Sequence, residues 1–362
     1  MIKNSSVYVC SFSGFCGKTV ISLGLALNLQ ELGYKVGYFK PIGWTTKRGL
    51  KGEKIDEDAQ LMTHILEPEL SMDSVVPVLM GDRFLEETGE VDPRFCENEI
   101  LAAYGKITEG KDFTIIEGPQ SFGIGSCIGL DPISLSTKFN SPILVVLRFD
   151  GCLTCTVDQA VWLSKVIDAF GSRLMGVIIN RVPRTEMERV RRLAYPIFEH
   201  CKIDILGIVP ENMEVLAPTV REICEHMPCE VLTAEDKLDY LVEDLLVGAM
   251  SPESFLSYSR RSFRKAVITG GDRTDIQLAA LETSLSALIL TGNLYPDARV
   301  LSRAEELEVP VLLVSGDTYS TVRHISDLTG RIHPKNEKKI NLAKMLVREH
   351  VRWESVFKPA LK

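Results

Sequence analysis

Residues 9 to 19 read Val-Cys-Ser-Phe-Ser-Gly-Phe-Cys-Gly-Lys-Thr and run into the apolar stretch Val20 to Leu32. A lysine beside a hydroxyl at a helix start, behind a loop with free backbone N–H groups, can hold a polyphosphate and its magnesium ion. On that reading Lys18 reaches the β- and γ-phosphates and Thr19 ligates Mg²⁺, while Ser13, Gly14, Phe15, Cys16, Gly17 and Val20 complete the cradle. One position departs from the usual pattern: the glycine six residues before Lys18 is replaced by Phe12. With a turn at Ser13-Gly14, Phe12 is expected to end the preceding strand with its ring in the core.

Magnesium also needs acidic partners. Glu117 ends the apolar run Phe113-Thr-Ile-Ile and precedes Gly118-Pro119, which puts a carboxylate where a strand meets its ligand edge. Such a carboxylate needs a partner if it is buried. Asp56, Glu57 and Asp58 precede the helical stretch Ala59 to Leu66; they are either metal ligands or helix N-terminal charges favoured by the dipole. Lys40, followed by Pro41, closes another strand and is expected to point a cation into the crevice, where it suits an anionic substrate or intermediate.

The elements that must position these groups alternate short β-branched runs with longer helical stretches. Strands are expected at Ser6 to Phe12, Lys35 to Phe39, Phe113 to Glu117, Ile143 to Arg148, Arg173 to Asn180 and Ile203 to Val209. Continuous apolar runs of this length are typical of parallel strands covered on both faces, so the expectation is an α/β fold with a doubly wound, mostly parallel sheet. Asp73 to Val91, rich in Pro, Gly and acidic residues, reads as a long excursion near the ligand edge. After Pro210 a smaller α/β unit follows. Val267-Ile-Thr-Gly-Gly-Asp272, Leu288-Ile-Leu-Thr-Gly-Asn293 and Leu312-Leu-Val-Ser-Gly-Asp317 repeat a strand, a hydroxyl residue, a glycine and a polar residue. Thr274 to Gln277 reads as a capping box for a helix Asp275 to Ser286, and Leu216 to Met250 as a connection with a helix Thr219 to His226. Asp272-Arg273 is either an effector site on a glycine turn or the locally satisfied start of a capped helix. The domains are expected at 1–212, 213–334 and, as a C-terminal helix, 335–362.

A net charge of −8 and a pI near 5.5 argue against a general nucleic-acid or anionic-membrane binder. The basic clusters at Arg189, Arg191 and Arg192, and at Arg260, Arg261, Arg264 and Lys265, read as solvated helix faces. The longest aliphatic run is Ile143 to Leu147, far below the ~18 residues that span a bilayer. Met1-Ile-Lys-Asn4 leads into a strand without a secretory signal, so a cytoplasmic chain is expected and its nine cysteines are read as reduced thiols. Cys152-Leu-Thr-Cys155 has neither a second cysteine pair nor a histidine pair; it reads as a turn entering a helix rather than a zinc site.

Taken together, Gly17-Lys18-Thr19, Lys40-Pro41-Ile42, Asp58-Ala59, Glu117-Gly118, Gly151-Cys152, Asn180 and Gly207-Ile-Val-Pro210 resemble the dethiobiotin synthetase and cobyrinic acid a,c-diamide synthase group of P-loop proteins. Gly270-Gly-Asp-Arg-Thr274-Asp-Ile-Gln is similar to the DRTGG domain. In this order, joined through Ala217 to Glu222, the two resemble the N-terminal region of long phosphate acetyltransferases over nearly the whole chain. The resemblance implies a P-loop NTPase type of sheet that binds ATP and Mg²⁺. Lys18 would contact phosphate, Thr19, Asp58 and Glu117 would surround the metal, Asn180 and the segment around Pro210 would hold the base, and Lys40 would face the substrate anion. Relatives of the first domain tend to dimerise, which implies a homodimer.

Departures from the family narrow these implications. Ser11-Phe-Ser-Gly14 and Pro119-Gln-Ser-Phe122 replace the family's substrate-side segments, which argues against diaminopelargonate as substrate. Ser13 stands where partitioning ATPases carry a signature lysine, and Pro183 where a guanine reader would carry aspartate, so ATP is expected over GTP. About thirty residues follow Gly330, too few to build an acetyltransferase domain, so that activity is not expected of these residues. Two readings remain open: a nucleotide-responsive regulatory or metabolic module with an effector site in its second domain, or an ATP-dependent ligase that activates a small carboxylate or carbamate. A third, an interaction protein with an inert loop, requires Lys18 and Thr19 to do nothing.

Overall fold

The computed structural model describes residues 5–44, 56–81, 84–88 and 92–357, with residues 87 and 88 described in backbone only. The chain divides into two compact units, Met1–Glu211 with Ile332–Lys362, and Asn212–Arg331.

In the first unit six strands, β1 (Ser5–Ser11), β2 (Val36–Phe39), β5 (Phe113–Glu117), β6 (Ile143–Arg148), β7 (Leu174–Val182) and β8 (Ile205–Pro210), form one parallel sheet. Their order is β2-β5-β1-β6-β7-β8. A short parallel pair, β3 (Ile42–Trp44) with β4 (Val78–Met80), lies beside it. The strands are buried at nearly every position because helices cover the sheet. Lys18–Glu31 packs on β1, β2 and β5, Leu153–Ala169 on β6 and β7, and Met187–His200 on β8. Each of the six expected strands is present, with ends shifted by two residues or fewer. The long excursion expected from Asp73 to Val91 carries, among its described residues, the end of the helix Met72–Val75, β4 and the helix Phe84–Thr88. Residues 82–83 and 89–91 lie outside the described set.

The tail folds onto the first unit rather than standing apart as a single C-terminal helix. It forms two helices, Glu337–His350 and Trp353–Phe357, and Val351 makes an antiparallel bridge to Gly207. Helix Glu337–His350 lies so close to helix Lys18–Glu31 that a Cβ on Gly24 would stand 2.4 Å from Val347 Cγ2. Between them Asn28 is fully buried; its amide nitrogen donates to the Gly24 and Lys344 carbonyls at 2.7 and 3.0 Å, and its Oδ1 accepts from Arg348 Nε at 2.9 Å.

The second unit has a five-stranded sheet of β9 (Cys229–Thr233), β10 (Asp244–Val247), β11 (Lys265–Gly270), β12 (Leu285–Thr291) and β13 (Val311–Val314), in the order β10-β11-β12-β13-β9. Only β9 runs antiparallel to its neighbour. Alternate residues feed two cores: Val267, Leu288, Leu290 and Val311 enter one, Ala266, Ile268, Ile289 and Leu312 the other. This period of two is what a sheet covered on both faces requires.

Several expectations for this unit are corrected. The connection Leu216 to Met250 contains β9 and β10, which are short and only half-buried, so no apolar run announces them. The capping box forms at Thr219 and Glu222, not at Thr274 and Gln277. Thr274 is already helical, and Gln277 Nε2 instead donates to the carbonyls of Gly270 and Gly271 at 2.8 and 3.0 Å. That helix, Thr274–Leu281, stops before Ser286, which is recruited into β12. Lys265 is no solvated helix residue: it opens β11, buried, with Nζ donating to the Ser262 and Ser284 carbonyls at 2.9 Å each.

Candidate functional site

The loop from Ser11 to Thr19 joins β1 to helix Lys18–Glu31, whose N-cap is Gly17 with φ 86°. This left-handed geometry favours glycine, and a Cβ there would meet Asn180 Nδ2 at 2.3 Å. Asn180, near the end of β7, donates from that nitrogen to the Cys16 carbonyl at 2.8 Å, so its amide braces the loop directly. Cys16 Sγ points back at the Ser13 carbonyl, 3.1 Å away, and the loop closes on itself. Lys18 is 8% exposed and donates to Ser11 Oγ at 2.9 Å. Phe12 does not enter the core. β1 ends at Ser11, and the Phe12 ring stays 38% exposed with its edge toward Trp162, centroids 6.0 Å apart. Phe15 takes a left-handed φ of 57° and is also exposed, whereas Gly14 faces Gln120 across ordinary contact distance. Pro210 closes β8 in register with Val182, at the same sheet edge as Asn180.

Beside the loop, the acidic residues gather. Glu117 is fully buried at the end of β5, and its Oε1 accepts from Thr19 Oγ1 at 3.0 Å. Lys40 Nζ donates to Asp56 Oδ1 at 2.9 Å and to Asp58 Oδ2 at 3.1 Å, and lies 3.7 Å from Glu117 Oε1. Lys40 therefore does not stand free in a crevice: it is 4% exposed and enclosed by carboxylates. Burial opposes its charge, but Asp56, Asp58 and Glu117 together outweigh that cost and hold its pKa above the ordinary lysine value. Asp58 sits below the usual carboxylate range because Lys40 outweighs desolvation, and burial pushes Glu117 above it despite Lys40 and Lys18.

Asp56 has two tasks that sequence reasoning joined only in part. As N-cap of helix Glu57–Leu66 it accepts the Ala59 N–H at 2.9 Å, and it also accepts the Trp44 N–H at 3.0 Å. Its pairing with Lys40 was not legible, because the two are separated by a stretch with no pattern linking them. Arg181 was missed as well. It follows Asn180 in a left-handed conformation, is 9% exposed, and its Nε has no hydrogen-bond partner.

A magnesium ion fits the oxygen donors present. Glu117 Oε2 is buried, and the buried hydroxyls of Ser22 and Tyr38 are directed at this carboxylate. Thr19 with the Asp58 and Glu117 carboxylates offers the hard oxygen ligands that Mg²⁺ takes. Among the described residues no three His, Cys, Asp or Glu side chains are arranged to hold a metal alone. Phosphate and water would have to complete the coordination, as is usual for Mg²⁺.

In the second unit Arg273 pairs with Asp275 at 3.0 Å rather than with Asp272, and also donates to the Met250 carbonyl. The glycine turns lean on one another: Gly292 N–H donates to the Gly316 carbonyl at 3.0 Å, and a Cβ on Gly271 would stand 1.8 Å from the Leu294 carbonyl oxygen.

Residues 5–219 match the family model described as AAA domain, and residues 222–328 the DRTGG domain. The phosphate acetyltransferase of Nitratidesulfovibrio vulgaris is 26% identical over 366 residues, covering 96% of this chain and 50% of that protein. The phosphate acetyltransferase of Pseudomonas putida is 27% identical, covering 92% and 49%. The chain thus spans about half the length of the curated relatives it matches. Among solved structures, the MinC:MinD cell division complex of Aquifex aeolicus matches at a TM-score of 0.38 and 18% identity, covering 58% of this chain and 83% of that one. The CBS and DRTGG domains of Clostridium perfringens pyrophosphatase match at 0.29 and 17%, covering 43% and 83%. No helix among the described residues is long and apolar enough to cross a membrane.

Proposed function

Because the chain belongs to the AAA-domain P-loop family and continues into a DRTGG domain, as the N-terminal region of long phosphate acetyltransferases does, we propose that it is a Mg-ATP-responsive module. In this reading nucleotide at the first unit and a small anionic effector at the second set the state of a regulatory or metabolic protein that works as a homodimer. The observation that carries it is the convergence of Lys18, Thr19, Glu117 and Asn180 on one loop, through contacts of 2.8 to 3.0 Å.

The roles follow from that geometry. Lys18 would turn from Ser11 to phosphate oxygens, and the N–H groups of the loop from Ser13 to Val20 would serve the same anion. Thr19, Asp58 and Glu117 would hold Mg²⁺, which when bound supplies charge neutralisation for the phosphates. Asn180 would keep the loop in shape and, with the segment at Pro210, border the base.

A second reading, ATP-dependent activation of a small carboxylate, is favoured by one observation: Lys40 lies 3.1 Å from Asp58 and 3.7 Å from Glu117, the carboxylates assigned to the metal, so its cation would stand beside bound phosphates. Substrate-dependent turnover separates the two.

Calorimetric titration of Mg-ATP and Mg-GTP into the wild type and Lys18→Ala tests the proposal. Mg-ATP should bind the wild type and Mg-GTP should not. Loss of charged hydrogen bonds worth about 1.5–3 kcal/mol should weaken the variant by roughly tenfold to a hundredfold. A wild type that takes up neither nucleotide overturns the reading and leaves an interaction module with an inert loop.

A further inference from the structure

Cys152 and Cys155 do not remain separate thiols: their sulfurs are joined as a disulfide, with Cα atoms 5.3 Å apart. The reason is local. The pair spans the first turn of helix Leu153–Ala169, where residues three apart share a face, whereas the seven other cysteines are unjoined. The two sulfurs are unequal. Cys155 is exposed to solvent, while Cys152 is half-buried as the N-cap of the 17-residue helix, with Sγ accepting the Cys155 N–H at 3.2 Å. The Asp150 carboxylate accepts the Cys152 backbone N–H at 3.4 Å.

We propose that Cys152 and Cys155 form a reversible dithiol–disulfide couple that exchanges with low-molecular-weight thiols and disulfides, opened at Cys155 and closed by Cys152. Reduction begins when an external thiolate attacks the accessible Cys155 Sγ. The S–S bond breaks, and Cys152 leaves with the electron pair as a thiolate held by the helix N-terminus. A leaving thiolate stabilised in this way departs faster, which sets the direction of opening. A second thiolate attacks the external sulfur of the mixed disulfide, releasing Cys155 as a thiolate. In sum, one protein disulfide and two thiols give one protein dithiol and one external disulfide, and two electrons pass to the protein. Oxidation reverses the path, with Cys152 attacking the mixed disulfide on Cys155. The couple lies outside the carboxylate cluster and does not depend on nucleotide binding, so either idea can fail alone.

The test equilibrates the full chain with glutathione at graded ratios of reduced to oxidised form, quenches with acid and alkylating agent, and weighs the peptide containing both cysteines. The doubly alkylated fraction should fall as the oxidised share grows and cross one half within the series. A peptide alkylated at both cysteines throughout, or joined throughout, overturns the proposal. Direction is read from variants. Cys152→Ser should accumulate a glutathione adduct on Cys155, and Cys155→Ser should carry about tenfold less on Cys152. Equal adducts in the two variants sink the assigned direction.

Discussion

Lys40 Nζ and Asp56 Oδ1 lie 2.9 Å apart with side chains 5% and 3% exposed, so a buried cation is tied to a buried helix cap. The pair couples the end of β2 to the start of helix Glu57–Leu66, and it presents Lys40 to Asp58 and Glu117 at the same time. Lys40 therefore neutralises carboxylates that would otherwise repel one another.

Replacing Lys40 with methionine should expose that dependence. Two buried carboxylates, Asp56 and Glu117, lose their counter-ion, and removing one partner of a buried pair costs about 3–5 kcal/mol. Magnesium without nucleotide should then raise the melting temperature of Lys40→Met more than that of the wild type. Equal shifts in the two proteins would mean that Lys40 and the metal do not share their carboxylates.

In the second unit, Asp297 caps helix Ala298–Glu306 and also accepts from the Arg299 guanidinium at 3.0 Å. Those hydrogen bonds, the side-chain one foremost, lower its pKa from 3.8 to about 2. A depressed carboxylate stabilises the fold above its unfolded value and loses that contribution as the pH falls through the folded one; the window here runs from 3.8 down to about 2. An NMR titration should place the Asp297 midpoint near 2 in the wild type and nearer 3.8 in Arg299→Ala.

What the sequence disclosed and what it withheld have physical causes. The six strands of the first sheet were legible because burial on both faces makes each a continuous apolar run. Glu117 was legible because a carboxylate ends one of them. β9 and β10 were not, since half-buried edge strands carry little apolar signal. Thr274 to Gln277 has the residue types of a capping box, but a tertiary bond from Gln277 to the Gly270 turn competes for its side chain. The Phe12 ring is expected in the core only if the chain turns at Ser13-Gly14, yet the loop begins one residue earlier, and Trp162 on a distant helix meets it outside. Long-range pairings such as Lys40 with Asp56 leave no local trace at all.

The place of the tail in the first unit can be checked at Asn28. Asn28 itself is fully buried, and two of its three hydrogen bonds run to helix Glu337–His350. Asn28→Ala leaves the Lys344 carbonyl and the Arg348 guanidinium without that partner, at a cost of about 1–3 kcal/mol. Chemical denaturation should show this loss, and removal of residues 332–362 should add nothing further for this contact when combined with Asn28→Ala. Additive losses from the contact would place the tail elsewhere.

The phosphate loop itself is tested most directly at Gly17. Any side chain there must adopt φ 86°, which costs about 1–2 kcal/mol outside glycine, and its Cβ would press on Asn180 Nδ2 at 2.3 Å. Gly17→Ala should therefore displace Asn180 from the Cys16 carbonyl and loosen the whole cradle, although Lys18 and Thr19 remain in place. Asn180→Ala removes the brace without the backbone strain, so comparing the two variants separates the effects. If the loop's shape governs nucleotide capture, both should weaken Mg-ATP binding, Gly17→Ala more strongly, with each variant still melting cooperatively. If Asn180→Ala binds as the wild type does, the brace is structural and the loop holds its form through Ser11, Ser13 and Cys16 alone.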